Sequence, residues 1–155
     1  MLLFCFASRN EENITRGFEN KKWAVATKSE AIMAGRRTKA AKYLNPGDYG
    51  ILYCAPRQYF TVPFIVKSKA DPNFIEKDIW PEPWSLPFDI EPLGSPYKTL
   101  SAETARSHWP IIQKRWPTSG GVTAAMNITG VTVFVPVEIN YKDWEAILKD
   151  LSTHE

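Results

Sequence analysis

Two tryptophans four residues apart, Trp80 and Trp84, are separated by Pro81, Glu82 and Pro83 in the stretch "DIWPEPWSLPFDIEPL". Aromatic faces held on a proline-braced loop are what a stacking or cage site needs, because proline lowers the entropy lost when such a loop is ordered. The same side chains also serve a hydrophobic core, and of the six tryptophans Trp109, Trp116 and Trp144 read as core residues. Trp23, at a strand end, suits either use. The loop pair, Trp80 and Trp84, is the one for which core packing is the poorer account.

A second chemical signal is charge. From Lys21 to Lys42 the chain carries seven basic residues, Lys21, Lys22, Lys28, Arg36, Arg37, Lys39 and Lys42, against Glu30 alone, a net of +6. The chain totals +2, so the remainder carries −4. Such a run is either a solvated helix face or a stripe that meets phosphate, and Arg9, Lys28, Arg36, Arg37 and Lys39 are the phosphate candidates. Contacts of that kind position a ligand without specifying it.

Enzyme chemistry has little to stand on. The two histidines are His108, beside Trp109 and Pro110, and His154, in the terminal "STHE". No GxSxG, GxxxxGK[ST], GxGxxG or HExxH occurs, and the acid pairs Glu76 with Asp78 and Glu11 with Glu12 read as solvated loop residues. A hydrolase or transferase built on His108 is the rival class, and the expectation is no catalytic residue, no cofactor and no metal. Cys5 and Cys54 sit in the apolar runs "LLFCF" and "GILYC" without CxxC spacing, as buried thiols of a reducing compartment do. The run "MLLFCFA" is too short to span a bilayer, and a cytoplasmic protein without membrane contact follows.

The elements that must position these residues follow from pattern. With 155 residues, 44% of them hydrophobic, the chain suits one domain over residues 1–155, expected to be monomeric. "LLFCFA" is a first strand and "SRNEENITRGFENKK" supplies helix-start residues; "WAVAT" is a second strand. Ser29 is a candidate N-cap for the helix "EAIMAGRRTKAAKYL", with Ile32, Ala40 and Leu44 turned to the core, ended by "NPGD". "YGILYCAP" and "YFTVPFIVKSKA" are strands, with Pro63 at a bulge or edge. A long proline-rich connection leads to a strand at "PFDIEPL". "SAETARSHWPIIQKRW" is helical with a break at Pro110, "GVTAAMNITGVTVFVPV" reads as one or two strands, and "NYKDWEAILKDL" closes as an amphipathic helix with Trp144, Ile147, Leu148 and Leu151 inward. The class is α+β, a small mixed sheet or barrel with helices packed outside.

Three of these segments together resemble the YTH and EVE branches of the PUA-like superfamily. In "LLFCFASRNEENI" a strand ends in Ser and leads to Asn13, ten residues before Trp23. "KKWAVATKS" is similar to the YTH "VWST" and EVE "VWGV" stretches. Trp80 and Trp84 precede "PFDI" as two tryptophans precede "FDV" in YTH domains. "LNPGDYGILYCA" resembles the EVE "KPGDKLVIYV" signature, and "PVEINYKDWEAIL" its closing helix. The resemblance spans nearly the whole chain and implies a PUA-like, YTH-like small twisted barrel or sheet.

It also implies a function. Members bind nucleic acid and in several cases enclose a methylated base, so Trp23, Trp80 and Trp84 would form a cage, with Asn13, the Ala24 backbone and Arg9 at the base edge. A base inside a duplex must be flipped out, and aromatic faces replace its lost stacking. The departures are Ala24 where many YTH domains have Ser or Cys, Arg9 where some have Asn, and Leu86 with Pro87 where YTH domains carry a basic residue toward RNA phosphate. The EVE-like pattern fits better. That implies a reader of methylated DNA rather than RNA, related to a prokaryotic restriction or modification-sensing system with a nuclease partner. The alternative is an RNA-binding PUA-like protein. N6-methyladenine, 5-methylcytosine and 5-hydroxymethylcytosine all suit three aromatic walls.

Overall fold

The computed structural model describes residues 1–27, 31–119, 121–128 and 133–152. The expectations for Lys28, Ser29 and His154 fall outside the described residues. In chain order the elements are β1 (Leu2–Ser8), α1 (Glu11–Asn20), β2 (Lys22–Ala26), α2 (Ala31–Ala41), β3 (Tyr49–Cys54), β4 (Tyr59–Thr61), β5 (Phe64–Val66), β6 (Ile75–Glu76), β7 (Trp84–Pro92), β8 (Thr99–Ser101), α3 (Ala102–His108), α4 (Pro110–Ser119), α5 (Val122–Ala125), β9 (Pro136–Glu138) and α6 (Tyr141–Leu151).

The strands join in one mixed sheet of order β2-β7-β5-β3-β1-β9, with β4 bridging β3 and β8, and β6 beside β7. The sheet is open rather than closed into a barrel, which decides between the two expected architectures. At its centre β1 and β3 run parallel, Leu3 opposite Tyr49 and Ser8 opposite Cys54. Both are continuous apolar runs because both of their faces are buried. Alternation sends Phe4, Phe6, Leu52 and Cys54 into one core with α1 and α2, and Leu3, Cys5, Ile51 and Tyr53 into a second core under α3 to α6. Both cysteines are buried, free thiols, and burial pushes Cys5 well above the ordinary thiol range.

Several local features follow from residue chemistry. Pro63 lies between β4 and β5, where the chain changes its partner from β8 to β7. Ser101 caps α3 by accepting from the Thr104 N–H at 3.1 Å. Pro110 stands at the first position of α4, where its missing N–H costs nothing. Asn140 and Asp143 form a reciprocal capping box that opens α6, whose Trp144, Ile147 and Leu151 are buried.

Three expectations are corrected. Ile32 is 73% exposed, not core-facing: the buried face of α2 runs through Arg37 and Ala41 toward Leu44, at spacings of four and three. Val122–Ala125 is a helix rather than a strand, because local bonds such as Ala125 N–H to the Gly121 carbonyl (2.9 Å) satisfy it, whatever the β preference of its valine and threonine. The strand expected at "PFDIEPL" begins earlier, at Trp84, because Ile75 and Glu76 of the preceding connection pair with Ser85 and Trp84.

Candidate functional site

The turn from β1 into α1 builds one wall of a cavity. The Ser8 hydroxyl donates to the Asn10 carbonyl (2.8 Å) and accepts from the Asn10 N–H (3.1 Å), closing a tight bend. Asn10 then caps α1, its Oδ1 accepting from the Glu12 N–H at 2.8 Å. Asn13 therefore lies in the first helical turn, three residues past the cap. Its carbonyl accepts from the Trp80 indole Nε1–H at 2.9 Å, and its side-chain Oδ1 from Arg16 Nη1 at 2.9 Å.

β2 and β7 build the opposite wall. Trp23 pairs with Phe88 and Val25 with Ser85, so three residues of β7 advance where β2 advances two, and Ala24 has no residue opposite it. This bulge puts Leu86 at φ 57°, a left-handed conformation that costs a leucine of order 1 kcal/mol, and it accommodates Pro87, which has no N–H for the ladder. Thr27 pins the rim by donating to the Pro83 carbonyl at 3.0 Å, just before Trp84.

All three candidate cage tryptophans are buried in the first core, the loop pair included, and this corrects the expectation that Trp80 and Trp84 stand apart from core packing. Their rings form one assembly. Trp80 and Trp84 stack with centroids 4.4 Å apart and planes 10° apart, while Trp23 meets them edge-on at 5.8 and 5.3 Å. A planar ligand inserted between two rings would need roughly twice that separation, so no base enters between Trp80 and Trp84 as they stand.

Beside this assembly is a cavity of about 550 Å³, within the range of small-molecule sites. Trp23, Trp84, Asn13, Ala24, Arg9 and Arg37 all line it, together with Phe6, Ser8, Asn10, Pro81 and Glu82. Trp80, expected as a wall, does not; it packs against Trp84 as a supporting ring. The structure thus brings together six expected residues from four separate segments. It also adds Ser8, Asn10 and Glu82. The strand-end serine followed by a helix-capping asparagine in "ASRNEE" is a signal that could have placed the first two.

The phosphate candidates divide. Arg36 and Lys39 are exposed on α2, away from the cavity lining, and Arg9 is exposed on it. Arg37 is buried, its Nη1 donating to the Ala26 carbonyl at 2.9 Å, and burial lowers its pKa from the usual arginine value. Its guanidinium also borders a smaller cavity of about 260 Å³ behind Val25 and Ala26. Away from the site, His108 Nδ1 and Trp109 Nε1 both contact Asp150 Oδ2 at 3.1 Å, an arrangement that ties α3 to α6. Among the described residues no group of His, Cys, Asp and Glu could hold a metal ion, and no helix is long and apolar enough to cross a membrane.

Trp80→Phe isolates the supporting role, since it keeps an aromatic ring behind Trp84 and deletes the bond to Asn13. The expected loss is about 1–2 kcal/mol by urea unfolding, one hydrogen bond plus the missing ring volume.

No protein-family model matches the sequence, and no curated protein matches it. Solved structures do. The Pho92 YTH domain in complex with m6A superposes with a TM-score of 0.62 at 15% identity, over 99% of this chain and 85% of that one. A Toxoplasma CPSF4-YTH domain in apo form gives 0.59 at 12% identity, over 98% and 88%. The MmI1 YTH domain gives 0.54 at 13%, over 96% and 94%. With its open mixed sheet flanked by helices, the chain has the YTH-like fold.

Proposed function

We propose that the chain is a non-catalytic reader that takes a modified nucleobase into the cavity beside Trp23 and Trp84. The observation that carries this reading is the convergence of an aromatic surface, an amide and two guanidinium groups, from Asn13, Arg9 and Arg37, on one 550 Å³ cavity. Trp84, backed by Trp80, supplies the stacking face, worth ~1 to 3 kcal/mol for a base. Asn13 and the Ala24 backbone offer the donors and acceptors that a base edge requires, and Arg9 stands where a phosphate beside the extruded base would pass.

N6-methyladenine is the modification we favour. The Pho92 domain of the same fold is in complex with m6A, and a neutral methylated purine is recognised by apolar contact and shape, which buried tryptophans provide. RNA is accordingly the preferred carrier, in place of the DNA and restriction context implied by the EVE resemblance, to which no solved structure described above lends support.

The test is fluorescence anisotropy against matched RNA and DNA oligonucleotides, single-stranded and duplex. Each is used unmodified or with N6-methyladenine, 5-methylcytosine or 5-hydroxymethylcytosine, at two salt concentrations. A methyl group in an apolar pocket discriminates by roughly 10- to 200-fold, so a preference in that range for N6-methyladenine in RNA is the expected result. Equal, salt-sensitive binding to all probes would reduce the site to a generic nucleic-acid contact.

A further inference from the structure

The opposite face of α1 borders a second cleft, of about 680 Å³, in which the nucleobase site has no part. Glu11, Thr15 and Phe18 fall on one side of the helix at spacings of four and three, while Asn13 falls on the other. The cleft floor is one face of the β4–β8 ribbon, where Tyr59 lies opposite Ser101 and Thr61 opposite Thr99. Three of these four side chains are short and hydroxylated. They leave unfilled the space that larger residues would occupy.

The walls differ in character. Phe18 gives a buried apolar back, and Tyr97, 82% exposed, forms the outer side. Three carboxylates, Glu11, Glu12 and Glu19, face one cation, Arg57. That cation already shows what the cleft accepts: Arg57 Nε sits 3.4 Å from Glu11 Oε1, while the Tyr59 hydroxyl donates to the other carboxylate oxygen. Burial, reinforced by this bond, holds the Tyr59 phenol above the usual tyrosine range. Glu12, itself exposed, meets only the half-buried Arg16, at 3.4 Å, and Glu19 forms no ion pair among the described residues.

We propose that this cleft is a second binding site, which takes a lysine- or arginine-bearing segment of a protein partner. The alkyl stem lies along Phe18 and the hydroxylated floor, the charged head meets Glu12 and Glu19, and the Tyr97 ring covers it. A nucleic acid is excluded here by the excess of carboxylates, whereas the nucleobase cavity on the other face carries two guanidiniums and one carboxylate. The two faces of α1 therefore receive opposite charges, and the protein can hold an RNA and a basic peptide together.

The experiment is an amide and indole NMR titration of the full chain with a five-residue peptide carrying one arginine and one lysine, compared with the same peptide bearing glutamine at both places. Saturable shifts at Thr15, Tyr97 and Thr99, with the Trp23 indole unmoved, are expected from the basic peptide alone. Tyr97→Ala and Glu19→Gln, both at exposed positions, should each weaken binding by about 2- to 5-fold, as one exposed cation–π contact or ion pair allows. Equal response to both peptides, or affinity untouched by both variants, overturns the proposal. So does a concentration-dependent shift of the same residues without peptide, matched by dimer formation in sedimentation, which would make a second copy of the chain the occupant.

Discussion

Trp84→Ala should lower stability by about 3–5 kcal/mol and remove the preference for a modified base. The first effect follows from place: the ring is buried, stacks on Trp80 and meets Trp23 edge-on, so truncation empties the centre of the aromatic assembly. The second follows from Trp84 being the member of the stacked pair that lines the cavity. Loss of one stacking face corresponds to roughly 5- to 150-fold in affinity, the conversion of ~1 to 3 kcal/mol. Urea unfolding measures the first, and anisotropy with methylated and plain oligonucleotides the second. Trp84→Phe separates them, since a phenyl ring keeps a face for the base and should retain the preference. If Trp84→Ala stayed folded by near-ultraviolet circular dichroism and still discriminated the methylated probe, the stacking role would be wrong.

The second large effect is a contrast between two glycines, each inside a helix. A methyl group on Gly17 of α1 would lie 2.8 Å from Trp23 Cε3 and 2.9 Å from the Lys22 carbonyl oxygen, closer than such contacts permit. Neither neighbour yields cheaply, because one is strand backbone and the other a ring boxed in by Trp80 and Trp84. Gly17→Ala should therefore cost about 1–3 kcal/mol in overpacking, more than the ~1 kcal/mol that alanine gains in helix propensity. A methyl group on Gly35 of α2 meets nothing within 4 Å. Gly35→Ala should stabilise by up to about 1 kcal/mol. Urea midpoints of the two variants should thus move in opposite directions, and Gly17→Ala alone should also weaken base binding, since it displaces Trp23. Equal shifts would show that α1 does not press on the site.

Much of this was legible in the sequence where one physical signal dominated. The runs "LLFCF" and "GILYC" are apolar at every position, and they became the two strands buried on both faces. The spacing of Trp80 and Trp84 before "PFDI", with Asn13 ten residues before Trp23, located the cavity through family resemblance, and five of the residues so named line it, joined by Arg37 from the basic run. What was hidden depends on tertiary contacts. Nothing in "AIMAGRRTKAAKYL" says that the guanidinium of Arg37 finds the Ala26 carbonyl and turns that side of α2 inward, leaving Ile32 in solvent. Nor does the distance between Trp80 and Trp84 tell which ring lines the cavity and which is stacked against it. The acidic cleft was invisible for a different reason: it is made of short side chains on a two-strand ribbon and of residues from three separate stretches of the chain, with no motif among them.

The stacked indoles have an optical consequence. Two chromophores 4.4 Å apart with nearly parallel planes couple their electronic transitions, so the native protein should show an exciton couplet in circular dichroism that changes when either ring is replaced, Trp23 remaining as the edge-on partner of the other. A planar ligand laid against Trp84 becomes a further oscillator in that array and alters the couplet. The protein thereby carries an intrinsic, label-free reporter of its own occupancy.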